Sequence, residues 1–283
     1  MRRIAGLKEL AGECDSLLCD VWGVLHNGIA SFPPAVDALL KFREVIGPVG
    51  LITNAPRPAQ PIRMQLKRLG VPDEAYDLLI SSGDVTRTVI AERPGAKLLH
   101  VGPDRDLPLF EGLDAVFASE EEAELVICTG LLDDTTETPD DYRPLFERLV
   151  GRDLVLVCAN PDIVVERGGQ LFYCAGALAR LYAQMGGEAM LVGKPHAPIY
   201  DAAKRGLAEI GGERILAVGD GLPTDIRGAV ENRIPVLFVT GGIHAADFGP
   251  HAAPDGERVA ARLHAEGLGA LGYIPALCWD GAG

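Results

Sequence analysis

The chain has 283 residues, 48% apolar and 23% charged, and a formal net charge of −14 from 26 basic and 40 acidic side chains. That balance is ordinary for a folded globular protein and too apolar for intrinsic disorder, and its sign argues against a nucleic-acid backbone or an anionic membrane surface as partner. The length exceeds the usual single-domain size, so two domains are expected.

From the N-terminus, Met1-Arg2-Arg3 begins basic, but charges interrupt it before a signal-peptide run can form. No later segment reaches the roughly 20 apolar residues needed to span a bilayer, and a soluble cytoplasmic protein is the expectation. Residues 17–20 read as a first strand, 33–46 as a helix opened by prolines tolerated in a first turn, and 49–53 as a second strand. Residues 57–69 read as a helix stopped by Gly70, and Ser82 or Asp84 caps another running to Arg93. A new alternation follows, with strands at 97–101, 125–128 and 154–159 and a helix at 140–150. The first pattern then resumes with a helix at 176–185, a strand at 189–192, a helix at 198–210 and a strand at 215–219. A helix from Thr224, a strand at 235–239 and a helix at 256–266 complete the chain. Strands alternating with helix-length amphipathic stretches predict parallel βαβ units, an α/β protein with a doubly wound parallel sheet. The middle block, residues 83–186, carries 19 acidic against 9 basic residues, a net of −10 that is most of the chain's charge. A solvated face explains this most simply; a substrate-selecting field is the alternative.

The six cysteines (Cys14, Cys19, Cys128, Cys158, Cys174, Cys278) form no C-x-x-C pair, which favours buried reduced thiols over disulfides or a zinc site. Two carboxylates far apart in the chain, Asp20 and Asp220, each sit where an apolar run meets a glycine turn: Leu17-Leu18-Cys19-Asp20 before Val21-Trp22-Gly23, and Ile215 to Gly219-Asp220 before Gly221. In parallel sheets ligands bind beyond the carboxyl ends of the strands, so two such acids can share one hard cation. Ile52-Thr53-Asn54 and Gly193-Lys194-Pro195 follow strands in the same way. Taken singly, an Asp, a Thr-Asn or a Gly-Lys-Pro after a strand is commonly only a turn or a cap; their conjunction in order is what carries information. Other phosphate motifs fail. Five residues separate Gly187 from Gly193 where a P-loop needs four, Pro195 stands where it needs Ser or Thr, and Thr224 replaces the third glycine of a dinucleotide fingerprint.

These four segments resemble the four motifs of the haloacid dehalogenase-like phosphohydrolases, and the long insert resembles the type IIA cap of their NagD-like branch. The resemblance implies a Rossmann-like core of residues 1–82 and 187–283 with an inserted α/β cap at 83–186. It implies Mg2+ held by Asp20, the backbone carbonyl of Trp22, Asp220 and Asp225, with Asp20 as nucleophile. Thr53, Asn54 and Lys194 would hold the phosphoryl group of a small phosphorylated metabolite, and a homo-oligomer is left open. Asn160 and Asp162, in a segment like the family's N-P-D, would face the site, with plain turn chemistry as the alternative. Gly168-Gly169 and residues 174–177 suit a tight return to the core.

One departure matters. The family's phosphatases carry a second Asp two residues after the nucleophile, which protonates the leaving oxygen and later activates the hydrolytic water; here that residue is Trp22, whose indole exchanges no proton near neutral pH and can perform neither transfer. Three readings stay open: His26 replaces the acid, the substrate's leaving group needs no proton, or the protein is a catalytically weak or silent phosphometabolite-binding protein.

Overall fold

The computed structural model describes residues 1–167 and 169–281. The strands, numbered along the chain, are β1 (Ser16–Asp20), β2 (Val49–Thr53), β3 (Leu78–Ser81), β4 (Lys97–Val101), β5 (Val116–Phe117), β6 (Leu125–Cys128), β7 (Leu156–Cys158), β8 (Val164–Arg167), β9 (Gln170–Tyr173), β10 (Ala189–Leu191), β11 (Ile215–Gly219), β12 (Val236–Val239) and β13 (Gly272–Ile274). They fall into two compact units: residues 1–53, 63–80 and 199–283, and residues 54–62 with 81–198. Among the described residues, no helix is long and apolar enough to cross a membrane.

The first unit is built on a six-stranded sheet in the order β13-β12-β11-β1-β2-β3. β1 pairs in parallel with β11 on one side and β2 on the other, and β11, β12 and β13 continue in parallel. The strand order therefore reverses at β1, which is where an open α/β sheet leaves a crevice at its carboxyl edge. Every residue of β1 and β2 is buried, so both faces of the sheet are covered and the strands read as continuous apolar runs. The helix Pro33–Val45 starts on two prolines and buries Ala35, Val36, Ala38, Leu39 and Phe42, an apolar stripe at helical spacing.

The second unit carries a five-stranded parallel sheet, β10-β7-β6-β4-β5, and a separate antiparallel hairpin, β8-β9. Alternate residues of its central strands feed two different cores. Val126, Cys128, Leu156 and Cys158 join Phe146, Leu178 and Tyr182, whereas Leu125, Ile127 and Val157 join Ile90, Leu98 and Leu109. The six cysteines are free thiols, five of them buried.

Several elements differ from the sequence reading. The strand expected in the core at 189–192 is β10, whose backbone is hydrogen-bonded in register to β7, so residues 187–198 belong to the second unit, as do 54–62. An apolar triplet carries no label saying which sheet it joins. The helix expected from Thr224 begins instead as one wide π turn, Leu222–Ile226, followed by a short helix, Arg227–Glu231. β3, β5, β13 and the β8-β9 hairpin were not expected, being too short or too exposed to show a clear period. Gly169 turns that hairpin at φ +79°, while Gly168, its partner in the expected tight return, lies outside the described residues.

The second unit buries one carboxylate deeply. Asp106 is 3% exposed, its nearest cation is Arg57 Nε at 3.8 Å, and desolvation raises it from 3.8 to about 6. The folded form thus binds this proton more readily than the unfolded form. The resulting stability is full below the unfolded value and is lost as pH rises through about 6. Asp106→Asn should accordingly be more stable than the parent at pH 7.5 by up to about 3 kcal/mol, the gap closing toward pH 4.5, as read by urea unfolding at both pH values.

Candidate active site

Register brings the first three polar groups of the site together. Cys19 lies opposite Val218 and Asp20 opposite Ile52, so Asp20, Asp220 and Thr53 emerge side by side at the carboxyl ends of β1, β11 and β2. All are buried: Asp20 at 4%, Asp220 at 5% and Thr53 at 6% exposure. Asp225 joins them from the π turn after β11, 6% exposed. Oxygen atoms of Asp20, Asp220 and Asp225 lie within 4.8 Å of one another, an all-carboxylate set that suits a hard divalent cation.

The surrounding backbone shapes this cluster. Asp225 Oδ2 accepts the Gly221 N–H at 3.0 Å, and the Asp225 N–H donates to the Gly221 carbonyl at 2.9 Å, closing the turn on itself. Asp220 Oδ2 accepts the Ile243 N–H at 2.8 Å from the loop after β12. That loop was missed by the sequence reading, although Thr240-Gly241-Gly242 directly after an apolar strand is the same kind of signal as the others. Glycines are required here by close approach. A Cβ on Gly242 would lie 1.9 Å from Asp220 Oδ2, and one on Gly23, whose φ is +88°, would lie 2.3 Å from the same atom.

The loop after Asp20 is tight and apolar. The Leu25 N–H donates to the Val21 carbonyl and the Gly23 N–H to the His26 carbonyl, both at 2.9 Å. The Trp22 and His26 rings meet edge to face, centroids 4.9 Å apart at 74°. His26 is 2% exposed, its Nδ1 accepts the Gly28 N–H at 3.0 Å, and burial pushes the imidazole down to about 4. Burial thus favours the neutral imidazole, which weighs against the reading that makes His26 a replacement acid. His244 packs similarly: its Nε2 accepts the Leu222 N–H at 3.3 Å.

Within the second unit, four further predicted residues are linked to each other. Asn54 Oδ1 accepts the Lys194 N–H at 2.7 Å, and Asn54 Nδ2 donates to Asp162 Oδ1 at 2.9 Å and to the Lys194 carbonyl at 3.3 Å. Asn160 Oδ1 in turn accepts the Asp162 N–H at 3.1 Å, an Asx turn. Gly193, at φ +121°, has no room for a side chain: a Cβ would lie 2.6 Å from Asn54 Oδ1. Lys194 and Asn54 are both 3% exposed.

A parallel sheet with a crevice at its reversal point, lined by clustered carboxylates, defines a class of α/β enzyme, and comparison with known proteins makes the class specific. A family model described as haloacid dehalogenase-like hydrolase matches residues 17–115, and one described as HAD-hydrolase-like matches 191–265. The crystal structure of a hydrolase of the haloacid dehalogenase-like family from Brucella suis is 46% identical, with a TM-score of 0.86 over 97% of this chain and 99% of that one. The D-glycerol 3-phosphate phosphatase of Mycobacterium tuberculosis is 28% identical over 253 residues, 88% of this chain and 69% of that protein. A glycerol phosphate phosphatase from the same organism, solved in complex with calcium, matches at 25% identity and a TM-score of 0.64, over 83% of this chain and 68% of that one. The chain belongs to the haloacid dehalogenase-like hydrolases.

The glycine contacts make a direct prediction about the carboxylate cluster. Gly242→Ala should displace the Asp220 carboxylate and weaken divalent-cation binding by about 10- to 100-fold, the range found when groups supporting a metal ligand are disturbed. Calorimetric titration of the two proteins with the cation reads this directly, with thermal unfolding in its absence as the control for folding.

Proposed function

We propose that this protein is a magnesium-dependent phosphohydrolase that cleaves a small phosphorylated metabolite through an aspartyl-phosphate on Asp20. The observation that carries the reading is the buried cluster of Asp20, Asp220 and Asp225 at the reversal point of the first unit's sheet, with Thr53 on the neighbouring strand. A carboxylate attacking a phosphate dianion must have the charge on both partners neutralised, and three carboxylates alone would only add to the repulsion. Asp20, Asp220, Asp225 and the Trp22 backbone carbonyl would hold magnesium, which when bound would supply that neutralisation.

The remaining roles are carried by this chain's own groups. Asp20 donates the attacking oxygen, and its position is set by β1, a buried strand paired on both sides. The Thr53 hydroxyl and the Asn54 amide hold phosphoryl oxygens, and the Lys194 ammonium offsets the charge spread over them in the transition state. The second unit acts as a type IIA cap, and Asn160 and Asp162, tied to Asn54 and Lys194 by hydrogen bonds, select the organic part of the substrate. The match to glycerol phosphate phosphatase, found in sequence and in structure, supports a small phosphorylated substrate class.

With magnesium and p-nitrophenyl phosphate the protein should release nitrophenol, EDTA should stop the release, and Asp20→Asn should reduce it to the level of protein-free buffer. Lys194→Met should lower kcat/KM by about 10²- to 10³-fold, the cost of removing one preorganised charge-stabilising group. Equal rates for the parent and Asp20→Asn would remove Asp20 from the mechanism.

A further inference from the structure

The bond-breaking step leaves an electron pair on the departing oxygen, and something must make that charge tolerable. As the Asp20 oxygen bonds to phosphorus, the bond from phosphorus to the organic oxygen breaks and its electron pair leaves with that oxygen. An alkoxide needs a proton at that moment; a carboxylate or phenolate does not. The first unit offers few donors at the strand ends where Asp20 lies. Asp20, Asp220 and Asp225 are committed to the carboxylate cluster, and the indole N–H of Trp22 is not an acid. Two imidazoles of the first unit are held in place by backbone groups: His26 Nδ1 accepts the Gly28 N–H, and His244 Nε2 accepts the Leu222 N–H. Nor can a different group swing into the place of Trp22. The residue is only partly buried, yet its backbone is set by β1 two residues earlier and by the hydrogen bonds of the 21–26 loop, and its ring packs at 74° to that of His26.

We propose that Trp22 is a specificity-determining residue that restricts the enzyme to acyl and aryl phosphates, substrates whose leaving group departs as a stable anion without a proton from the protein. The proposal rests on the reading of Asp20 as nucleophile. The step balances without any acid: the Asp20 carboxylate and the phosphate dianion become aspartyl-phosphate and the free carboxylate or phenolate. Water then attacks phosphorus, the bond to the Asp20 oxygen breaks, the carboxylate is restored, and both protons of the water leave on dihydrogen phosphate. A partly exposed indole also offers a flat apolar surface against which an aromatic or unsaturated leaving group can pack.

The test is a series of phosphates of graded leaving-group acidity: acetyl phosphate, p-nitrophenyl phosphate, phenyl phosphate and glycerol 3-phosphate, assayed with magnesium. It is read as kcat/KM, which ends at formation of the phosphoenzyme and so ignores the shared second step. The parent should favour the acyl and nitrophenyl substrates over the alkyl ester by at least about 10²- to 10⁴-fold, the usual worth of a missing general acid. Trp22→Asp should flatten the series by raising the alkyl ester selectively, and Trp22→Phe should leave the slope steep. Parent activities within about tenfold across the series would overturn the proposal, because they require a proton donor that Trp22 does not displace. If acetyl and p-nitrophenyl phosphate are also untouched, or are cleaved equally by Asp20→Asn, the nucleophile reading fails instead and takes this proposal with it.

Discussion

Because β1 is hydrogen-bonded in parallel to β11 on one side and to β2 on the other, the chain departs from it in opposite directions, and the carboxyl ends of three strands are left facing one crevice. The register of those ladders, rather than any side-chain contact, decides that Asp20, Thr53 and Asp220 are neighbours although 200 residues separate the first from the last. A slip of one residue in β1 would turn Asp20 to the other face of the sheet and put Cys19 in its place. The buried, two-sided packing of β1 and β2 makes that slip expensive, so the hydrophobic core is what holds the polar site in position.

Three carboxylates packed this closely oppose folding by themselves, since each resists burial and repels the other two. The backbone around them lowers the cost. Gly221 and Ile243 direct N–H groups at Asp225 and Asp220, and Gly23 and Gly242 let two loops approach Asp220 where any side chain would collide. The same devices that make the cluster tolerable hold its oxygens in one arrangement, as a cation requiring several ligands at once demands. The wide turn at Leu222–Ile226 belongs to this account: it carries Asp225 back against Gly219, where a Cβ would lie 2.3 Å from the Asp225 side chain.

Most of the first unit's sheet could be read from the chain, because buried parallel strands leave apolar runs that end abruptly in glycine or acid, as at Asp20, Thr53 and Asp220. What could not be read depends on non-local information. β10 looks like any other short strand, and only its ladder with β7 assigns it to the second sheet. β3 is a four-residue apolar run without alternation, and the β8-β9 hairpin is too exposed to show a buried face. The contribution of the loop after β12 was legible in principle, since Gly241-Gly242 follows that strand as Gly221 follows β11, but no acid marked it.

His26 and Asp20 show how far a strand-end signal reaches. Both are polar residues beside the glycine turn after β1, and by sequence either could serve chemistry there. Both are also buried to nearly the same extent, so burial alone does not separate them. The difference lies in what each is buried against. Asp20 is gathered with two other carboxylates, whose charges disfavour one another, whereas His26 satisfies the Gly28 N–H and packs against an aromatic ring, which are gains for the fold itself. A buried polar group whose partners repay its desolvation needs no further explanation. The 21–28 loop is thus held by gains of its own, and Trp22 stands at its start with an indole that exchanges no proton near neutral pH.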